Sequence, residues 1–138
     1  EESYAAAGHA VVSSPARSNQ LFEQFLQRRG MERRIVLSTP HHLSLPAIVE
    51  ETNLIATVPL ATGARFARLG SVELVRLPFT PPTFSVQQHW HRLVHHDPRS
   101  AWLRARIAAL FNDATDEWRQ VETELYGHAL RQRADVDL

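Results

Sequence analysis

The chain has 138 residues, of which 43% are apolar, so it is long enough for one domain with a real core. Its 15 basic residues, all arginine, balance 15 acidic ones, and this zero net charge gives no support for a nucleic-acid interface built on a basic face. The absence of cysteine excludes disulfides, thiolate metal sites and cysteine nucleophiles, and no apolar run approaches the length of a membrane span.

Short apolar runs that alternate with amphipathic stretches predict an α/β fold. In chain order the pattern predicts a strand over residues 4–13, a helix from Ser18 or Asn19 to Arg29 that ends at Gly30, a strand over 35–38, a helix over 43–51, a strand over 54–58 and a helix over 60–69. It then predicts strands over 72–77 and 84–94, a helix from 99 to about 111, and a helical segment over 113–131 followed by a frayed tail.

The segment over residues 33–59 is the most informative part of the chain. Two apolar runs, IVL and LIATV, surround one amphipathic helix, which is the pattern of a βαβ unit with parallel strands. Ligands of such sheets usually bind where strands end and helices begin. Here that place carries Thr39, Pro40, His41 and His42.

Four segments agree in order and spacing with one known family. They read GHAVV at 8–12, QRRGMERR at 27–34, PHHLSLPAIVEETNLIATVP at 40–59 and WHRLVHHDPRSAWLR at 90–104. Together they resemble the effector-binding domain of LysR-type transcriptional regulators, and most closely the branch that responds to small aromatic compounds. Two positions depart from the family pattern: Asn53 stands where Asp is usual, and His42 stands where an aromatic residue is usual.

The resemblance implies a fold like that of the type 2 periplasmic binding proteins, with two α/β lobes and a cleft between them. Residues 1–112 would be a partial effector-binding domain, mainly the second lobe with the return strand and helix of the first. Residues 113–138 would be a C-terminal helix and tail. The sequence opens without a cap or lead-in, so we expect a fragment of a longer protein.

The same resemblance implies a cytoplasmic regulator that senses a small effector, aromatic or carboxylate in character. We expect no enzymatic activity, no cofactor, no membrane contact, and self-association into a dimer or larger oligomer. DNA would be bound only through a helix-turn-helix domain that this chain does not contain.

His41 is the residue for which we expect effector contact, because its imidazole can hydrogen-bond a carboxylate or phenolic oxygen. The alternative is a histidine bonded only to backbone or water, which is how we interpret His42. By the resemblance, the start of the first long helix also faces the cleft, although Ser18 and Asn19 could be no more than N-caps. The predicted effector-binding set is therefore Ser18, Asn19, Thr39 and His41.

A second group of histidines, at 89, 91, 95 and 96, suggests a metal site. Two histidines at this spacing on one strand can chelate, but the strand contains no acidic residue and the chain no cysteine. We therefore interpret Trp90 as a packing residue and expect no metal. Two other classes stay open, a solute-binding protein of a transport system with the same fold and a histidine-dependent metalloenzyme.

Overall fold

A computed structural model describes residues 1–13, 17–84, 86–111 and 118–127. The strands are β1 (Gly8–Val12), β2 (Arg34–Thr39) and β3 (Ile55–Ala56). The helices are α1 (Glu2–Ala6), α2 (Arg17–Arg28), α3 (Leu45–Glu50), α4 (Leu60–Ala67), α5 (Pro98–Leu110) and α6 (Trp118–Tyr126), with single 3₁₀ turns at His42–Ser44 and Arg92–Val94. The α/β class and the βαβ unit predicted for residues 33–59 are confirmed.

The three strands form one parallel sheet in the order β2-β1-β3. Val12 is paired with Thr39 on one side of β1, and Ala10 with Ala56 on the other. Because all three strands run in the same direction, their carboxyl ends lie at one edge of the sheet. The candidate site lies at this edge of the sheet.

The sheet is covered on both faces. On one face, Leu26 of α2 packs with Tyr4 and Phe79. On the other, Ala10 of β1 packs with Leu45 of α3 and Phe66 of α4. Successive side chains of a strand point to opposite faces, so β1 contributes to both layers.

The strand predicted over residues 4–13 is wrong in its first half. Glu2–Ala6 is helical, and the strand begins only at Gly8. Alanine has the highest helix propensity, and Glu2 in the first turn interacts favourably with the helix dipole. The strand predicted over 54–58 is also shorter than expected, with Ile55–Ala56 alone in the ladder.

The prediction of strands over residues 72–77 and 84–94 is also wrong. Residues 72–77, 84 and 86–91 contain neither helix nor strand, and Arg92–Val94 is a 3₁₀ turn. A strand is stable only when a neighbour pairs with its backbone groups, and two-residue β3 offers little edge for another strand. The expected return strand of the first lobe therefore has an irregular conformation here.

The helix predicted from 99 to about 111 is confirmed as α5. Asp97 caps it, because its carboxylate accepts a hydrogen bond from the Ser100 amide at 2.7 Å. The helical segment predicted over 113–131 is confirmed for Trp118–Tyr126, and residues 113–117 and 128–131 lie outside the described residues. Within the described ranges, no helix has the length and apolarity needed to cross a bilayer.

Candidate functional site

The carboxyl edge of the sheet carries three strand-to-helix connections. They follow β1 at Ser13, β2 at Pro40 and His41, and β3 at Thr57 to Pro59. The first two are joined directly, because the Ser13 amide donates to the Thr39 carbonyl at 2.9 Å. The sheet thus ends in irregular backbone whose polar groups can contact a ligand. Ligands of parallel sheets usually bind at this place.

Thr39 is the last residue of β2, and only 9% of its surface is exposed. Its hydroxyl accepts a hydrogen bond from the His41 amide at 3.3 Å and lies 3.0 Å from the Ser44 hydroxyl. The Ser44 hydroxyl in turn donates to the His41 carbonyl at 2.8 Å. We call residues 39–44, closed by these bonds, the Thr39–Ser44 turn.

His41 lies at the outside of this turn. Its backbone is extended, and its side chain is exposed at the sheet edge where the sequence predicted a ligand contact. His42 is half-buried and begins the 3₁₀ turn that leads into α3. The difference in exposure agrees with the roles predicted for the two imidazoles, but it does not test them.

Asn19 lies inside the first turn of α2, so its interpretation as an N-cap is wrong. Its side-chain amide donates to the Val12 carbonyl at 3.2 Å and thereby ties α2 to the end of β1. Val12 is paired with Thr39, so two of the predicted residues are brought to adjacent strand ends. Ser18 lies in the same turn of helix, and its side chain is outside the described residues.

Ser44 is the residue of this edge that sequence reasoning missed. It stands three positions after His41, in the first turn of a predicted helix. Serine at such a position often bonds to a backbone carbonyl three or four residues earlier, and this spacing was the available signal. Its hydroxyl connects Thr39 with the His41 carbonyl, which no other side chain does among the described residues.

His9 is the second residue that the sequence did not single out, although it belongs to the GHAVV motif. Its side chain is fully buried on β1, and its Nε2 donates to the Tyr4 carbonyl at 2.8 Å. Burial lowers the pKa of His9, an effect opposed by the bond to Tyr4, and the nearby Arg33 and Arg34 lower it further while Glu23 raises it. His9 is therefore a neutral core histidine near neutral pH.

Two of the histidines at 89–96 accept hydrogen bonds from their neighbours. His91 Nδ1 accepts from the Leu93 amide at 3.2 Å, and His95 Nδ1 accepts from the Trp90 indole at 3.1 Å. The Arg104 guanidinium lies 4.5 Å from the centre of a Trp90 ring. Across the described part of the chain, no three His, Asp or Glu side chains are grouped so that they could hold a metal ion.

Comparison with known proteins identifies the domain. The sequence model of the LysR substrate binding domain matches residues 3–112. The chain belongs to this family. Membership confirms the resemblance seen in the four sequence segments, and it covers the sheet, the Thr39–Ser44 turn and α5.

The curated relatives of this LysR-family chain include two HTH-type transcriptional activators. The HTH-type transcriptional activator NahR of Pseudomonas putida is 27% identical over 112 residues, which cover 81% of this chain and 37% of NahR. The HTH-type transcriptional activator NagR of Ralstonia sp. is 33% identical over 89 residues, 64% of this chain and 30% of NagR. Nodulation protein D 3 of Rhizobium leguminosarum bv. phaseoli is 33% identical over 104 residues, 75% of this chain and 34% of that protein.

The chain thus spans about a third of the length of these relatives, from 30% to 37%. Two of the three are named as transcriptional activators, which supports the regulator interpretation over the transport alternative.

Proposed function

We propose that this chain is the ligand-sensing domain of a LysR-family transcriptional regulator and binds a small aromatic or carboxylate effector at the carboxyl edge of its sheet. The observation that carries the proposal is the placement of the exposed His41 on a hydrogen-bonded turn at this edge, within the part of the chain that matches the family. His41 would bond the effector through its imidazole. Asn19 would support the same edge from α2, and Ser18 and Thr39 would line it.

The architecture that goes with this function is a two-lobed domain of the type 2 periplasmic-binding-protein kind. Residues 1–112 would form its second lobe with the return segment of the first, and residues 113–138 a C-terminal addition. The effector would bind one arrangement of the lobes more tightly than another and so shift the population between them. The domain would catalyse no reaction and would use no cofactor.

DNA binding and assembly belong to the whole regulator. We assign DNA contact to a helix-turn-helix domain outside residues 1–138, since NahR and NagR are named as HTH-type and this chain has zero net charge. We place the regulator in the cytoplasm, where its operator is. Self-association would use the large apolar side chains that α5 exposes, Trp102 at 61% and Leu110 at 74%.

Calorimetric titration with a series of substituted benzoates tests the effector site. His41→Ala should weaken binding by about 1–3 kcal/mol, roughly 5- to 150-fold, because one hydrogen bond to the effector is lost. His42→Ala is the matched control and should bind like the parent. Parental binding by His41→Ala together with weak binding by His42→Ala would mean that the two roles are reversed.

A further inference from the structure

The Thr39–Ser44 turn holds both backbone groups of His41 with hydroxyls. The His41 amide donates to Thr39 Oγ1 at 3.3 Å, and the His41 carbonyl accepts from Ser44 Oγ at 2.8 Å. The two hydroxyls are themselves 3.0 Å apart. Side chains thus bond both peptide groups that flank the exposed imidazole, and the Ser44 amide adds a longer backbone bond to the His41 carbonyl at 3.4 Å.

The protons of this turn can be assigned by counting donors. A carbonyl can only accept, so the single proton of Ser44 is used in the bond to His41. The bond between the two hydroxyls must then use the proton of Thr39, with Ser44 Oγ as acceptor. Each hydroxyl donates once and accepts once, so loss of the Ser44 hydroxyl removes two of the three side-chain bonds and leaves the Thr39 hydroxyl bonded only to the His41 amide.

The residues that hold the turn and the residue that can contact a ligand differ in burial. Thr39 is buried and Ser44 is half-buried, whereas His41 is exposed. A ligand at this edge can reach the imidazole without displacing the hydroxyls beneath it. Hydrogen bonds of this kind pre-organise a binding group, and pre-organisation lowers the entropic cost of association.

We infer that Ser44 is a positioning residue, which orients His41 for the effector through the His41 peptide and Thr39 without binding the effector itself. The affinity part of this inference rests on the function proposed above. The positioning part concerns the turn alone and can be measured in the absence of any ligand.

The first measurement is amide hydrogen exchange at His41 in the ligand-free chain, followed by NMR. Ser44→Ala should speed exchange of the His41 amide about fivefold or more, because its acceptor, the Thr39 hydroxyl, loses the bond to Ser44 that orients it. Ser44→Thr keeps a hydroxyl at the same position and should restore slow exchange. Ser38→Ala, on the exposed side of β2, is the matched control and should leave it unchanged.

The second measurement is a double-mutant cycle between Ser44 and His41 with the benzoate that binds the parent most tightly. Ser44→Ala should weaken binding about 3- to 10-fold in the parent and less than about twofold in the His41→Ala background, since its effect passes through His41. Ser44→Thr should bind like the parent.

The two measurements separate the possible failures. Absence of benzoate binding by the parent would count against the proposed function, and the exchange data would still decide whether Ser44 holds the turn. Equal losses in both backgrounds, or exchange at His41 that does not respond to Ser44→Ala, would overturn the inference on Ser44.

Discussion

His9 makes the stability of the domain sensitive to mild acid. Its side chain is fully buried beside Tyr4, whose ring centre lies 4.7 Å away. Nε2 donates to the Tyr4 carbonyl, and Nδ1 is buried without a hydrogen-bond partner. Protonation would place a charge on Nδ1 that nothing in the core solvates, and Arg33 and Arg34 oppose it further. Glu23, which is paired with Arg33, offsets this in part.

The direction of the effect follows from proton linkage. The pKa of His9 in the folded chain is lowered from its ordinary value of 6.5, which applies to the unfolded chain. Below pH 6.5 the unfolded chain therefore binds a proton that the folded chain does not. The stabilisation is fully present above pH 6.5 and is lost as the pH falls from there towards the lowered pKa.

The loss of stability is limited because only one group, His9, is involved. One proton bound only by the unfolded chain changes the free energy of unfolding by at most about 1.4 kcal/mol per pH unit. With 6.5 as the unfolded value, the loss between pH 7.5 and 5.5 is at most about 1.4 kcal/mol. For a domain of this length, that corresponds to a decrease in melting temperature of about 5 °C.

Thermal melts followed by circular dichroism between pH 7.5 and 5.5 measure this loss. His9→Gln can still donate to the Tyr4 carbonyl but does not titrate, so its melting temperature should decline less than that of the parent. His89→Gln removes an exposed histidine and should decline as the parent does. An NMR titration of the parent should place the midpoint of His9 protonation below pH 6.5.

The reasoning would be refuted by a His9→Gln variant that loses as much stability over this range as the parent. It would equally be refuted by a His9 ring whose midpoint of protonation lies at or above pH 6.5.

Three further outcomes are expected. Gly8→Ala should destabilise the sheet by about 1–3 kcal/mol in chemical denaturation, because the added Cβ would lie 2.7 Å from Leu54 Cδ2. Adding Leu54→Ala to the same chain should recover part of this loss. Light scattering over a concentration series should show self-association through the exposed α5 side chains, and a constant monomer mass would contradict this. Elemental analysis after dialysis should find no stoichiometric transition metal, whereas near one equivalent of zinc would show that the histidines at 89–96 form a site.

Much of the sheet could be predicted because its signals are local. The apolar run before Thr39 and the amphipathic helix after His42 correctly indicated a βαβ unit, and Gly30, with a φ of 64°, ends α2 where the sequence suggested. These features depend on periodicity and backbone preference within a few residues.

The errors arose where the outcome depends on neighbours distant in sequence. The apolar residues within 72–77 suggested a strand, but none of the strands in the described part of the chain lies beside them, and Val75 is 79% exposed. Asn19 has the residue type of an N-cap, yet it bonds to the end of β1, a contact set by how α2 packs on the sheet. The Ser44 bond to Thr39 likewise required the geometry of the turn.

The strand order β2-β1-β3 has a consequence for how this edge can change. The chain leaves β1 towards β2 and then passes to β3 on the other side, so α2 and α3 cover opposite faces. Connections that diverge in this way leave a crevice at the strand ends, the usual place of ligands in doubly wound sheets. Three connections that are far apart in sequence border these strand ends. Under the proposed function, substitutions there would alter ligand preference one connection at a time, while β1 and its two buried layers keep the fold intact.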